Sequence, residues 1–278
     1  MTARGLFLLP VAALAVVAAL AGGVLLFQSS TSQRPAPAVA TGEPDVAEPE
    51  TVYKPGASVC QGVLHRPSVK SERTFPAVYT KRVRANGLTI VGNADVDDAA
   101  MEAARKTVER VFSNNTLEDR LAEEGAYIIV AAAGQGVLDL PEFACLAGQT
   151  RIDFDHVCGV ADRADYPVAT VNELDLLGDR DGPCDGLNIL FHEIGHLVQG
   201  WTLSPADYFD AKQFYQESIN NGVYKRGVDY ATTNPNEYFA ESTQAYFLSQ
   251  DLRGRRDRAW LKANDPEMFA LLTSVYGE

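Results

Sequence analysis

The sequence predicts an α+β fold, and three observations carry that prediction. Short apolar runs of strand character fall between residues 84 and 177, and capped helical patterns crowd the chain beyond residue 187. The composition, 46% hydrophobic and 22% charged over 278 residues, suits a folded core rather than a disordered chain.

The N-terminal segment is different in kind. Arg4 precedes an uncharged apolar run over residues 5–27, long enough to cross a hydrocarbon core of roughly 30 Å. Residues 1–28 are therefore expected to be a membrane anchor, with a cleavable signal peptide ending near Ala21 as the alternative. Both readings place the bulk of the chain outside the cytosol, either membrane-anchored or secreted. Residues 29–58 are rich in Pro, Ala, Ser, Thr and Glu and nearly free of large apolar side chains. Such a stretch buries too little surface to offset its ordering entropy and reads as a disordered linker. A single catalytic domain is expected over 59–278.

Within that domain, residues 84–92 and 126–133 read as strands, the second fully apolar and suited to a buried position. Between them, residues 97–114 place Met101, Ala104, Val108, Val111 and Phe112 on one helical face. Residues 166–177 read as a further strand and end in a turn-rich run from Gly178 to Pro183. An apolar helix follows over 187–201. Ser204-Pro205 and Asn234-Pro235 each open a helix with a cap and a proline, the second running to about residue 251. Asp265-Pro266 opens a short last helix with Met268, Phe269, Leu271 and Leu272 inward.

A net charge of −13 argues against nucleic acid as a partner. The one basic knot, Arg253, Arg255, Arg256 and Arg258, reads as a solvated helix end or loop. Four cysteines, Cys60, Cys145, Cys158 and Cys184, suit an oxidising compartment. They lack the paired spacing of a structural zinc site. Cys145–Cys158, closing a short loop, and Cys60–Cys184 are the expected bridges.

His192-Glu193-Ile194-Gly195-His196 is an HExxH motif. Residues four apart on a helix share a face, so both imidazoles reach one metal ion, and Glu193 lies beside them as a general base. Leu187, Leu190, Phe191, Ile194, Leu197 and Val198 mark the helix as buried. A catalytic zinc site needs a third protein ligand. The candidates lie in Asn234-Pro235-Asn236-Glu237-Tyr238-Phe239-Ala240-Glu241, where Glu237 and Glu241 sit one turn apart. Glu237 is expected to bind a single Zn²⁺ with His192 and His196, while Glu241 accepts a hydrogen bond from a ligating imidazole. Two alternatives stay open: Asn234 and Glu237 also form a capping-box pattern, and Glu241 is the fallback ligand.

The HExGH helix, with Tyr230 seven residues ahead of Glu237 in an E-Y-F-A-E segment, resembles the catalytic domain of anthrax lethal factor and its secreted single-domain relatives, which are gluzincin peptidases. Asp139-Leu140-Pro141-Glu142 and the Asp265-Pro266-Glu267 helix start add to the likeness over roughly residues 139–278. The resemblance implies a zincin-like fold, with a small mixed sheet packed on the HExxH helix and a second Glu-bearing helix. It also implies that Tyr230 donates its hydroxyl to the oxyanion of peptide hydrolysis. A peptide or protein is then the expected substrate, and residues 166–177 the expected cleft-edge strand. A zinc hydrolase of a cell-envelope amide and a non-catalytic zinc-binding module are the alternative readings.

Overall fold

The computed structural model describes residues 75–147, 154, 157–163, 166–248 and 256–278. The anchor and linker expected over 1–58 lie outside these residues, as do Cys60, Arg253 and Arg255. Among the described residues, no helix is long and apolar enough to cross a membrane.

Among the described residues, the domain is built on one mixed sheet of five strands. Strands β1 (Lys81–Ala85) and β2 (Leu88–Gly92) form an antiparallel hairpin. Its turn is Asn86-Gly87, both at positive φ, the residue pair that favours tight hairpins. A single strand over 84–92 is thus replaced by a hairpin, because the Asn-Gly pair turns the chain back. Helix α1 (Asp98–Val111) follows, capped by the Asp97 side chain, and buries Met101, Ala104, Val108 and Val111 as their spacing predicts. Helix α2 (Leu117–Glu123) then leads into β3 (Tyr127–Ala131), which is buried along its whole length.

Strand β4 (Gly159–Arg163) and strand β5 (Tyr166–Asn172) are antiparallel to one another. The sheet order is β1-β2-β3-β5-β4, with β2, β3 and β5 parallel. Two expectations are corrected here. The strand expected over 166–177 stops at Asn172, whose side chain accepts a hydrogen bond from Leu174 N and starts the short helix α3 (Glu173–Leu177). β5 is also not the sheet edge: β3 and β4 flank it, and the edge belongs to β4.

The remaining helices are α4 (Leu190–Trp201), α5 (Pro205–Asn220), α6 (Pro235–Phe247), α7 (Arg258–Asn264) and α8 (Pro266–Tyr276). Ser204, Asn234 and Asp257 cap α5, α6 and α7 through their side chains. In α8, Met268 and Leu272 are fully buried, whereas Phe269 is only partly so. One sheet face carries the helices and the main core. The other carries a smaller cluster around Tyr127, Ile129, Leu140, Phe143 and Val168. There the buried Glu142 carboxylate accepts hydrogen bonds from the hydroxyls of Tyr79 and Tyr127.

α4 lies over β4 and β5 and packs most extensively on α6. Gly195 makes that approach possible: a Cβ there would stand 3.0 Å from Ala240 Cα and from Thr243 Cβ. Phe191 and Phe247 stack across the same interface at 5.5 Å. Burying each such ring stabilises the pair by roughly 1.5–3 kcal/mol. This contact sets the relative position of the two motif-bearing helices.

The expected disulfides are both corrected, because Cys158 is bonded to Cys184 with their Cα atoms 5.3 Å apart. Cys145 is also disulfide-bonded. Pairing follows tertiary proximity here. Cys158 stands just before β4, Cys184 in the turn that leads into α4, and α4 lies on β4.

Candidate functional site

Residues 178–189, between α3 and α4, are built to deliver α4 in one orientation. Asp175, wholly buried, accepts hydrogen bonds from Cys184 N at 3.0 Å and Gly186 N at 2.9 Å. Gly186 is required in this turn, with φ at 72° and no room for a Cβ against Gly178. Asn188, just ahead of the α4 cap residue Ile189, accepts from Leu190 N, while its amide donates to Thr107 on α1. The α4 residues Leu190, Ile194, Leu197 and Val198 are essentially inaccessible. So are Glu193 and, nearly, His192 and His196.

The motif side chains converge with one residue of α6. His192 Nε2 lies 3.1 Å from Glu237 Oε2 and 3.1 Å from His196 Nε2. His196 Nε2 lies 3.4 Å from the same Glu237 oxygen. One ligand atom from each of the three residues falls within 4.8 Å of the other two. Glu241, a turn further on, stands with Oε1 at 3.1 Å from His192 Nδ1, the imidazole nitrogen that faces away from the cluster. The capping alternative for Glu237 resolves into a division of labour. Asn234 caps the helix by accepting from Asn236 N and Glu237 N, and the Glu237 carboxylate is turned to the histidines instead.

Charge in this buried cluster is mutually supported. Burial opposes ionisation of Glu237, yet His196 and His192 hold its carboxyl far below the usual carboxylate range. Burial also opposes a charged His192, but hydrogen bonds to Glu237 and Glu241 outweigh it and push the imidazole up to about 10. Glu193 is the exception. Burial pushes its carboxyl up to about 7, against the pull of both histidines. Neither Glu193 oxygen has a hydrogen-bond partner among the described residues. A buried carboxyl left without a partner costs free energy unless something in the working state engages it. Two imidazole nitrogens, one carboxylate oxygen and an adjacent unengaged acid form a donor set that zinc takes.

Tyr230 enters from outside the helix pair. It opens a 3₁₀ turn (Tyr230–Thr232) just before α6. Its ring centre lies 6.2 Å from that of His192, and its hydroxyl donates a hydrogen bond to Glu237. Burial, with the nearby charges of Glu237 and Glu193, pushes this phenol well above its ordinary range, so it remains a proton donor at neutral pH.

Every residue singled out in the sequence thus meets at one place: His192, Glu193, His196, Tyr230, Glu237 and Glu241. The supporting residues escaped the sequence reading. Gly195 belongs to the HExGH motif, but its packing role shows only when α6 is seen against it. Asp175 looks like one acid among several in an acidic run. Gly159 lies at the start of β4, where a Cβ would meet Thr170 O at 2.4 Å and Glu193 Oε1 at 3.1 Å. The basic knot is also corrected in part: Arg256 and Arg258 are not simply solvated but lie over aromatic rings.

The family model for anthrax toxin lethal factor, N- and C-terminal domain, matches residues 80–275. The Pro-Pro endopeptidase of Clostridioides difficile (strain 630) is 30% identical over 91 residues. That match spans 33% of this chain and only 38% of the length of that relative. The solved structure of the Pro-Pro endopeptidase PPEP-2 from Paenibacillus alvei matches with a TM-score of 0.48 at 22% identity. It covers 67% of this chain and 97% of the other. The chain belongs to the anthrax toxin lethal factor family, and its α+β architecture is the zincin-like one that the HExxH helix implies.

Proposed function

We propose that this member of the lethal factor family is an exported zinc metallopeptidase, with His192, His196 and Glu237 as the metal ligands. The observation that carries the reading is the cluster of these three donors beside the buried, unengaged carboxyl of Glu193. Zinc held there would supply Lewis acidity, polarising a scissile carbonyl and acidifying water.

Glu193 takes the proton of the attacking water and returns it to the leaving amine. A carboxyl raised to about 7 suits both halves of that task near neutral pH. Tyr230, kept protonated by its surroundings, donates its hydroxyl to the oxyanion that forms on the carbonyl. Glu241 holds His192 by its outer nitrogen, which sets the ring's tautomer and aim. The extended substrate pairs with β4 rather than β5, since β4 is the terminal strand of the sheet among the described residues and packs against α4.

The substrate is a peptide or protein, and a peptide containing a Pro-Pro bond is the first to try, given the activity for which both relatives are named. Export is supported by the Cys158–Cys184 bridge, since such bonds persist in oxidising compartments. Membrane attachment would rest on residues 5–27.

The test is zinc content and cleavage of casein and a Pro-Pro peptide by wild type, Glu237→Ala and Glu241→Ala. One zinc per chain is expected in wild type, lost in Glu237→Ala and retained at saturating zinc in Glu241→Ala. A well-folded wild type that binds no zinc would overturn the reading.

A further inference from the structure

Tyr230 is carried by a segment with little core of its own. Residues 225–228 are exposed, Val228 by 67%, and Gly222 and Gly227 both take positive φ. Tyr224 and Ala231 are buried in the main core, and between and beside them polar contacts grip the residues on either side of the tyrosine. On the C-terminal side, Thr232 accepts a hydrogen bond from Gly227 N, and its carbonyl accepts one from the Tyr215 hydroxyl on α5 at 3.0 Å. On the N-terminal side, the Asp229 carboxylate accepts from Lys225 N and is paired at 2.9 Å with Arg256 Nη2.

Arg256 is itself fixed in direction. Its guanidinium carbon lies 4.5 Å from the ring centre of Tyr224 and 4.3 Å from that of Trp260. Those rings contact one another at 5.5 Å, and Tyr224 packs on Tyr238 in α6, one residue beyond Glu237. The arginine therefore connects the helix that carries Glu237 to the residue next to Tyr230. A planar fork stacked on aromatic faces presents its donors in a fixed direction, which a lysine ammonium does not.

We infer that Arg256, through Asp229, is a positioning residue that aims the Tyr230 hydroxyl at the reaction centre. The inference rests on the proposed role of Tyr230 in peptide hydrolysis. Arg256 touches neither substrate nor metal. It acts by denying the turn at Tyr230–Thr232 other orientations, and a misplacement of about 1 Å at a catalytic group can cost on the order of a hundredfold in rate.

The experiment uses the full zinc-loaded chain and a quenched fluorescent peptide containing a Pro-Pro bond. Arg256→Ala, Arg256→Lys, Tyr230→Phe and the double variant Arg256→Ala/Tyr230→Phe are compared. Arg256→Ala should lower kcat about 10- to 100-fold with KM and zinc content little changed, and Arg256→Lys should recover only part of the loss. The double variant should be no slower than Tyr230→Phe alone, because the arginine has nothing left to aim. A double variant slowed by the product of the two single effects would reduce Arg256 to general stability and overturn the inference. Crystal structures of wild type and Arg256→Ala supply a readout independent of turnover, with Arg256→Lys in reserve if the alanine variant does not fold. A Tyr230 hydroxyl that keeps its contact with Glu237 without the Arg256 guanidinium overturns the inference. A displaced hydroxyl in a protein that cleaves no peptide leaves the positioning intact and removes the peptidase reading instead.

Discussion

Helix α4 and the segment leading to Tyr230 face the same few ångströms of space but are held there by different mixtures of contacts. α4 is pinned by apolar packing against the sheet and α6, by the Asp175 turn and by the Cys158–Cys184 bridge. The 221–232 segment is exposed over much of its length, and apart from the buried Tyr224 and Ala231 it is held by hydrogen bonds and the Asp229–Arg256 ion pair. In the proposed mechanism the metal ligands would fall on the packed side, two histidines on α4 and the Glu237 carboxylate on the adjoining α6. The proposed oxyanion donor, Tyr230, would fall on the side whose aim depends on a few polar contacts, the Asp229–Arg256 pair among them.

The comparison predicts which damage each region suffers. The largest effect belongs to Glu193→Gln: kcat should fall about 1000-fold while bound zinc is retained, measured by steady-state kinetics beside metal analysis. Activity within tenfold of wild type would show that the buried carboxyl on the packed side is not the base. Next, replacing Cys158 and Cys184 together by alanine should cost about 2–4 kcal/mol in urea unfolding, as expected for a native bridge spanning 26 residues. A loss below the error of that measurement would mean that the bridge is not part of what pins α4.

A smaller effect is expected at Glu241. Glu241→Ala should weaken zinc binding about 10- to 100-fold in a competition titration with a chelator, since His192 loses its outer partner. Unchanged affinity would mean that α4 alone sets the ring. The smallest effect sharpens the electrostatic side of the comparison. In metal-free protein, His192 is raised from 6.5 to about 10, so its stabilising proton is present below pH 6.5 and lost as pH rises through about 10. Glu193, raised from 4.5 to about 7, acts in the same direction over a lower window. The melting temperature of the metal-free protein should therefore decline on going alkaline. The zinc-loaded protein should lack that slope above neutrality, because the metal takes the place of the proton.

The candidate site was largely legible in the sequence because its information is local. His192 and His196 share a face by helical spacing, as do Glu237 and Glu241, and both helices carry their own boundary signals. Tyr230 was reachable only through the family resemblance, since nothing about a lone tyrosine in a polar segment marks it. The disulfide pairing was not legible, because Cys158 and Cys184 meet only once β4 is laid under α4. The same holds for the sheet edge. The apolar residues 166–172 announce a strand, but whether that strand is flanked on one side or two depends on Gly159–Arg163, whose sequence has little strand character. The hairpin was written plainly in Asn86-Gly87, and reading 84–92 as one strand passed over it. Gly195 and Gly159 were invisible for a simpler reason: what they leave room for lies elsewhere in the chain.

The position of β4 at the end of the sheet has a consequence beyond the proposed catalysis. Backbone groups that would accept an extended peptide, as proposed for β4, would as readily accept the edge of another copy, so substrate docking and self-association would compete for the same strand. The register shift between Ala161 and Arg163 interrupts its ladder after a few residues. An edge that short would offer a passing strand little to zip onto.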